Sequence, residues 1–172
     1  RGRCACAPGR PASASGVVTL LEQALAAIDA ANADDPHVIE LRGVERPKEQ
    51  AHAELMTEWV RHLDPAATDA QILAARAHHL RRWVLPRSDF PEGRAGYLRW
   101  RAQQKRRHAD DVAVILSEVG YDAATVERVG QIVRKEGLAH DPQVQVHEDA
   151  LCLVFLQTQL DELAARLGDD RA

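Results

Sequence analysis

The feature that most constrains the fold is the spacing of the apolar residues, which recur every three or four positions in one segment after another. Such stripes occur in residues 17–28, 55–63, 72–83, 108–119 and 126–133. This period is typical of amphipathic helices, and no segment alternates apolar and polar residues as a half-buried strand would. The sequence therefore predicts an all-α fold without strands: a single-domain bundle of about six to seven helices over residues 16–172.

A sixth helix is predicted to open at Pro142. It is apolar on all sides from Ala150 to Leu156, so we expect it at the centre of the bundle. This run is also the longest apolar stretch, and it is far too short to span a bilayer, which predicts that the protein has no membrane partner. The segment 37–49, with Gly43 and Pro47, is predicted to be a connecting loop.

The three cysteines are Cys4, Cys6 and Cys152, and an odd number in such positions does not predict a disulfide framework. We therefore expect a reducing, cytoplasmic location. A Cys-x-Cys pair could hold zinc, but zinc sites of that kind usually add two ligands at standard spacing. Residues 1–15, rich in Ala, Arg, Pro, Gly and Ser, are instead predicted to be a disordered leader.

The charge of the chain is unevenly distributed. The net charge is −4, yet residues 76–107 contain ten Lys and Arg against Asp89 and Glu92, which leaves −12 for the remainder. A local positive field on an acidic protein suits an anionic small molecule or nucleotide better than duplex DNA, which we do not expect to bind. Five residues of this region are candidate phosphate ligands: Arg82, Arg87, Arg94, Arg101 and Lys105. The alternative is a solvated helical face with ordinary ion pairs.

Histidines fall on or beside several apolar stripes. His52 lies within the stripe of the second helix, and His108 continues the stripe of the fourth. At 100° per residue, His79 points inward at the edge of the third helix, whereas His78 points outward. With Asp149, on the buried sixth helix, His52, His79 and His108 form a candidate site for a divalent metal ion such as manganese, iron, nickel or zinc. The alternative is that each histidine is separately a half-buried core residue.

Three glutamates are candidates for the acid or base of a hydrolytic site: Glu54, Glu136 and Glu148. Glu136 follows the inward stripe of the fifth helix, and Glu148 lies beside Asp149. Aromatic residues Trp83, Tyr97 and Trp100 could stack on a base, or they could be core residues on helix stripes. No phosphate-binding glycine loop or nucleophile elbow is present in the sequence.

Six blocks of the chain resemble an uncharacterised family known as domain of unknown function 4202. The similarity covers roughly residues 17–167 and carries no established activity. The blocks are residues 27–32, 45–49, 74–83, 94–101, 120–122 and 148–156. The resemblance favours His79 over His78 and implies a role for Glu54.

More distantly, the order of the histidines is similar to the HD superfamily of metal-dependent phosphohydrolases. His52, His78-His79, His108 and Asp149 follow one another as the ligands of that superfamily do, although its defining His-Asp pair is His-His here. The resemblance implies an all-α, HD-like bundle and a metal-dependent phosphohydrolase acting on a nucleotide or phosphorylated small molecule. The alternative hypothesis is a non-catalytic helical module that binds a nucleotide, RNA or an acidic partner through residues 76–107.

Overall fold

The computed structural model describes residues 18–169 and the side chains of residues 18–160. The α-helices are α1 (Leu20–Asn32), α2 (Lys48–Leu63), α3 (Asp69–Ala77), α4 (Gly93–Val119), α5 (Ala123–Arg134) and α6 (Pro142–Asp169). Strands β1 (Val38–Leu41) and β2 (Val44–Pro47) precede α2, and 3-10 turns occupy Arg82–Val84 and Arg87–Asp89. The predicted all-α class and helix number are confirmed. The predicted leader, with Cys4 and Cys6, lies outside the described residues.

The prediction of a fold without strands was wrong in one place. The segment expected to be a loop contains an antiparallel hairpin in which Leu41 pairs with Val44. Arg42 and Gly43 form its turn with φ of 55° and 79°, the geometry of a two-residue type I′ turn. This turn usually carries Asn-Gly or Asp-Gly, so the Arg-Gly pair gave little signal.

Helix boundaries follow local hydrogen bonding. Thr19 caps α1 and Thr68 caps α3, each in a reciprocal capping box with the residue three positions later. The first helix therefore begins at Leu20, directly after Thr19. Gly120 ends α4 with φ of 107°, as its position after the last apolar residue predicts.

The helix at the centre of the bundle is α3, and the prediction that α6 is central was wrong. Six of the nine residues of α3 are apolar and buried: Ala70, Ile72, Leu73, Ala74, Ala75 and Ala77. Its small alanines let α1, α2 and α5 pack around it. One core cluster joins α3 to α1, α4 and α5, and another joins it to α2 and α6. In α6, Cys152, Phe155 and Leu156 are exposed.

The third helix is also shorter than its apolar stripe suggests. It ends at Ala77, and the chain continues through tight turns in which Leu80 N–H donates to Ala77 and Arg82 N–H donates to His79. The angular calculation for a continuous helix therefore does not apply to His78 and His79.

Within the described residues, no helix has the length and apolarity needed to cross a membrane.

Candidate metal and anion site

A cavity of about 600 Å³ lies among α2, the end of α3, α4, α5 and α6. Its size is within the range of small-molecule sites, about 300–1,000 Å³. Five histidines line it: His52, His78, His79, His108 and His147. Their rings are close to one another, with centroids 4.0 Å apart for His78 and His79 and 6.0 Å apart for His79 and His108.

Glu49, His52 and His79 form the tightest group of potential metal ligands. One donor atom of each lies within 4.8 Å of the other two. Glu49 Oε2 is 3.0 Å from His79 Nδ1 and 3.7 Å from His52 Nδ1. Two ligands bound to one ion at about 2.1 Å are separated by roughly 3.0–3.4 Å, so small side-chain shifts would let the three share an ion. A carboxylate with two imidazoles is a donor set suited to zinc, iron or manganese.

The start of α2 positions two of these three residues. Glu49 and His52 are three residues apart and therefore lie on the same face of the helix. The N–H of Glu49 donates to Oδ2 of the buried Asp35 at 2.9 Å, which fixes the first turn. Burial alone would raise the pKa of Glu49, but the imidazoles of His52 and His79 outweigh it and hold that pKa well below its usual range.

The turn after α3 supplies the third residue. His79 Nδ1–H donates to Glu49, and His79 Nε2 accepts a hydrogen bond from Arg82 Nη1 at 2.9 Å. Both bonds describe a neutral imidazole, and burial lowers the pKa of His79 to about 4 despite the carboxylate beside it. Between them, Arg81 has a left-handed backbone with φ of 50°, which reverses the chain so that His79 and Arg82 meet.

Three further histidines have buried ring nitrogens without a hydrogen-bond partner among the described residues: His78 Nε2, His108 Nε2 and His147 Nδ1. His108 Nδ1–H donates to the carbonyl of Leu80 and His78 Nδ1–H to that of Ala75. The free Nε2 atoms are therefore lone-pair acceptors in fixed orientations. Burial lowers the pKa of His108 and of His147 to about 3, so both are neutral. Buried acceptors of this kind indicate a ligand, a metal ion or ordered water.

Part of the cavity wall is cationic. Arg82, Arg101 and Lys105 line it, and none has a carboxylate within salt-bridge distance among the described residues. Arg82 lies 4.8 Å from the ring centroid of Trp100, and its burial lowers its pKa. Burial, then the charges of Lys135 and Arg101, lowers the pKa of Lys105. Cations that repel one another along a cavity wall favour an anion between them.

The structure brings together three of the four predicted metal ligands. His52 and His79 belong to the group with Glu49, and His108 lines the same cavity. Asp149 does not reach the cluster, because its side chain is exposed and accepts a hydrogen bond from Gln145. Of the two adjacent histidines, His78 is buried against His79, contrary to its predicted outward direction.

The three predicted acid or base residues are in different surroundings. Glu54 forms a bidentate ion pair with Arg46 on another face of α2. Glu136 is exposed and pairs with Arg134. Glu148 pairs with Lys135, a residue that lines the cavity. Only Glu148 is therefore adjacent to the site.

The predicted phosphate ligands also divide into two groups. Arg82, Arg101 and Lys105 line the cavity, but Arg87 and Arg94 do not. Arg87 instead donates to the carbonyls of Phe90 and Pro91 and so holds its own loop together. Arg94 is exposed in the first turn of α4.

Sequence reasoning missed Glu49, His147 and Gln104. Glu49 ends one of the shared blocks and lies three residues before His52. This spacing places both on one face of a helix, but only if the helix is predicted to begin at Lys48. His147 continues the buried stripe of α6 through Val144, Ala150 and Val154. Gln104, which lines the cavity, had no sequence signal, because its amide donates to the carbonyls of Arg82 and Leu85, which lie 22 and 19 residues earlier in the chain.

The comparisons with known proteins agree with the resemblance seen in the sequence. A family model described as domain of unknown function (DUF4202) matches residues 22–172. The chain belongs to this family. Searches of curated proteins and of solved structures gave no match. A relation of this DUF4202 protein to the HD superfamily is not shown.

Proposed function

We propose that this DUF4202 protein is a metal-dependent phosphohydrolase that acts on a phosphorylated small molecule. One observation carries the proposal: Glu49, His52 and His79 converge within 4.8 Å beside a cavity whose wall holds cations without carboxylate partners in the described part of the chain. The first group suits a divalent ion, and the second suits a phosphate. Their adjacency is the arrangement that metal-assisted phosphate hydrolysis needs.

A divalent ion held by Glu49, His52 and His79 would supply a Lewis acid next to the bound phosphate. Arg82, already held against the ring of Trp100, would bind the phosphate oxygens through its planar guanidinium. Lys105 and Arg101 would neutralise the remaining charge. In the reaction a water oxygen forms a bond to phosphorus, the ester P–O bond breaks, and the leaving alkoxide gains the proton that the water gives up.

Glu148 is the candidate that carries this proton. Its ion pair with Lys135 links it to the cavity, whereas Glu54 and Glu136 are paired elsewhere. The neutral His147 lies next to it in sequence and lines the same cavity. Glu148 would take the proton from the attacking water and return it to the leaving alkoxide.

Elemental analysis tests the metal site. We expect about one divalent ion per chain after exposure to manganese, iron, nickel or zinc salts and desalting. Glu49→Gln and His79→Ala should lose it, whereas Asp149→Asn should keep it because Asp149 is exposed. Phosphate release from phosphomonoesters should depend on the same ion. A wild-type protein that retains no ion, or a Glu49→Gln variant that retains it fully, would contradict the proposal.

A second candidate function is non-catalytic binding of RNA, a nucleotide or an acidic partner. It is favoured by the exposed arginines of α4, because Arg94, Arg99 and Arg106 have no ion-pair partner among the described residues. This function predicts that the logarithm of the binding constant falls linearly with the logarithm of the salt concentration. It also predicts that binding persists after a chelator removes metal ions. The charge-neutral variants Arg99→Gln and Arg106→Gln should then weaken binding without changing metal content.

A further inference from the structure

The lining residues of the cavity change in chemical type along its length, and this order indicates the class of substrate more closely. On α4, the residues that line it share one face of the helix: Tyr97, Trp100, Arg101, Gln104, Lys105 and His108. On α6 they include His147, Leu151 and Phe155, which are four positions apart. At 1.5 Å per residue, His147 and Phe155 are about 12 Å apart along the helix. Each helix therefore runs from the histidines at one end to an aromatic residue at the other.

The aromatic end is open. The side chain of Tyr97 is 43% exposed and that of Phe155 is 38% exposed, and they belong to different walls of the cavity. Arg101 lies 5.7 Å from the ring centroid of Tyr97, so a cation borders this aromatic surface. Exposed aromatic rings beside cations are the surface on which nucleic-acid bases stack.

Fixed hydrogen-bond acceptors also line the cavity. The amide nitrogen of Gln104 donates to the carbonyls of Arg82 and Leu85, both at 2.9 Å, which leaves Oε1 as an acceptor. This oxygen is buried and has no partner among the described residues, as is true of His108 Nε2. A bound molecule that satisfies them must bring hydroxyl or amino groups.

We propose that the substrate is a nucleoside phosphate, with its base between Tyr97 and Phe155, its ribose hydroxyls near Gln104 and His108, and its phosphate against Arg82 and Lys105. This inference rests on the proposed function in taking this cavity as the substrate site. A sugar phosphate would satisfy the acceptors and the cations but would leave the aromatic end without a partner. Inorganic phosphate would satisfy the cations alone.

Calorimetric binding in excess chelator tests the inference without turnover. The probes are adenosine 5′-monophosphate, cytidine 5′-monophosphate and ribose 5-phosphate. We expect the nucleotides to bind at least about ten-fold more tightly than ribose 5-phosphate, because stacking contributes about 1–3 kcal/mol per base. Tyr97→Ala and Phe155→Ala should each remove roughly five-fold or more of the nucleotide affinity. Neither should change the affinity for ribose 5-phosphate.

Two matched controls keep the test sharp. Val114 and Leu160 are exposed apolar residues of α4 and α6 that do not line the cavity, so Val114→Ala and Leu160→Ala should leave nucleotide affinity unchanged. His108→Asn keeps a donor for the Leu80 carbonyl but loses the Nε2 acceptor, and it should weaken nucleotides and ribose 5-phosphate alike.

The outcomes separate the two proposals. Equal affinity for nucleotides and ribose 5-phosphate would overturn the nucleoside assignment, even if the wild-type protein holds metal and hydrolyses phosphomonoesters. Selective nucleotide binding that Tyr97→Ala weakens by the expected factor would support the assignment, even if the elemental analysis finds no ion and the hydrolase proposal fails.

Discussion

Arg82 is both packed against neighbouring side chains and placed to bind the proposed phosphate. Its guanidinium is held between Trp100 and His79, lines the cavity and has no carboxylate partner among the described residues. Burying a cation without a counter-charge costs free energy during folding. A bound anion should offset that cost, because it supplies the missing counter-charge. The effect of replacing Arg82 therefore shows whether it binds phosphate, as proposed, or is an ordinary solvated arginine.

Replacing Arg82 by Gln should weaken phosphate-ester binding about ten- to hundred-fold, the loss of one charge-assisted bidentate contact. Arg82→Lys should recover only part of the affinity, because a point charge cannot make the planar contact. Arg94→Gln is the control, since Arg94 is exposed outside the cavity and should be neutral for binding. Equal effects of the Arg82 and Arg94 substitutions would contradict the placement of the phosphate.

His147 should give the protein a steep dependence of stability on pH. Burial and the charge of Lys135 lower its pKa to about 3, whereas in the unfolded chain it titrates near 6.5. Between these values the unfolded state binds more protons, so stability is present above pH 6.5 and falls as the pH is lowered. Each such histidine contributes about 1.4 kcal/mol per pH unit.

Urea unfolding of wild type and His147→Leu between pH 6 and pH 4.5, in chelator, measures this contribution. We expect the slope of the unfolding free energy against pH to decrease by about 1.4 kcal/mol per unit in the variant. His62→Leu, at an exposed position of α2, should leave the slope unchanged. Parallel pH profiles for wild type and His147→Leu would show that His147 is protonated in the native state.

At the scale of the element, the turn after α3 determines how the site is assembled. Arg81 has φ of 50° and ψ of 40°, a conformation that costs an L-residue about 1–2 kcal/mol. Its N–H donates to Asn32 Oδ1 and its carbonyl accepts from Arg107, so neighbouring helices hold the strained backbone in place. The strain is located between His79 and Arg82, where it directs both side chains to the cavity.

Arg81→Gly should therefore stabilise the protein by about 0.5–1 kcal/mol, because glycine adopts this backbone without steric cost. The matched substitution Arg99→Gly, at an exposed position inside α4, should instead destabilise by about 1 kcal/mol. Thermal and urea unfolding measure both. Destabilisation by both substitutions would show that the side chain of Arg81 matters more than its backbone strain.

At the scale of the molecule, the features that the sequence predicted correctly are those that depend on the periodic spacing of apolar residues. The apolar stripes located the helices and placed His52 and His108 facing inward. They could not reveal which helix is central, because a helix rich in alanine is buried by close neighbours, whereas the apolar run of α6 lines a cavity. They also misjudged Asp149 and His78, since a ligand's direction depends on where a helix ends and on the turn that follows.

Metal binding should couple the site to global stability, because Glu49 and His52 belong to α2 and His79 to the turn that follows the central α3. An ion that binds the folded chain alone raises the unfolding free energy by about 2.7 kcal/mol at a hundred-fold excess over its dissociation constant. We therefore expect the unfolding temperature of wild type to rise by several degrees with added metal and to fall again with chelator. In Glu49→Gln the shift should vanish, while in Asp149→Asn it should remain. A shift of equal size in all three proteins would mean that the ion binds elsewhere, and the convergence of α2 and α3 on one ion would then have to be abandoned.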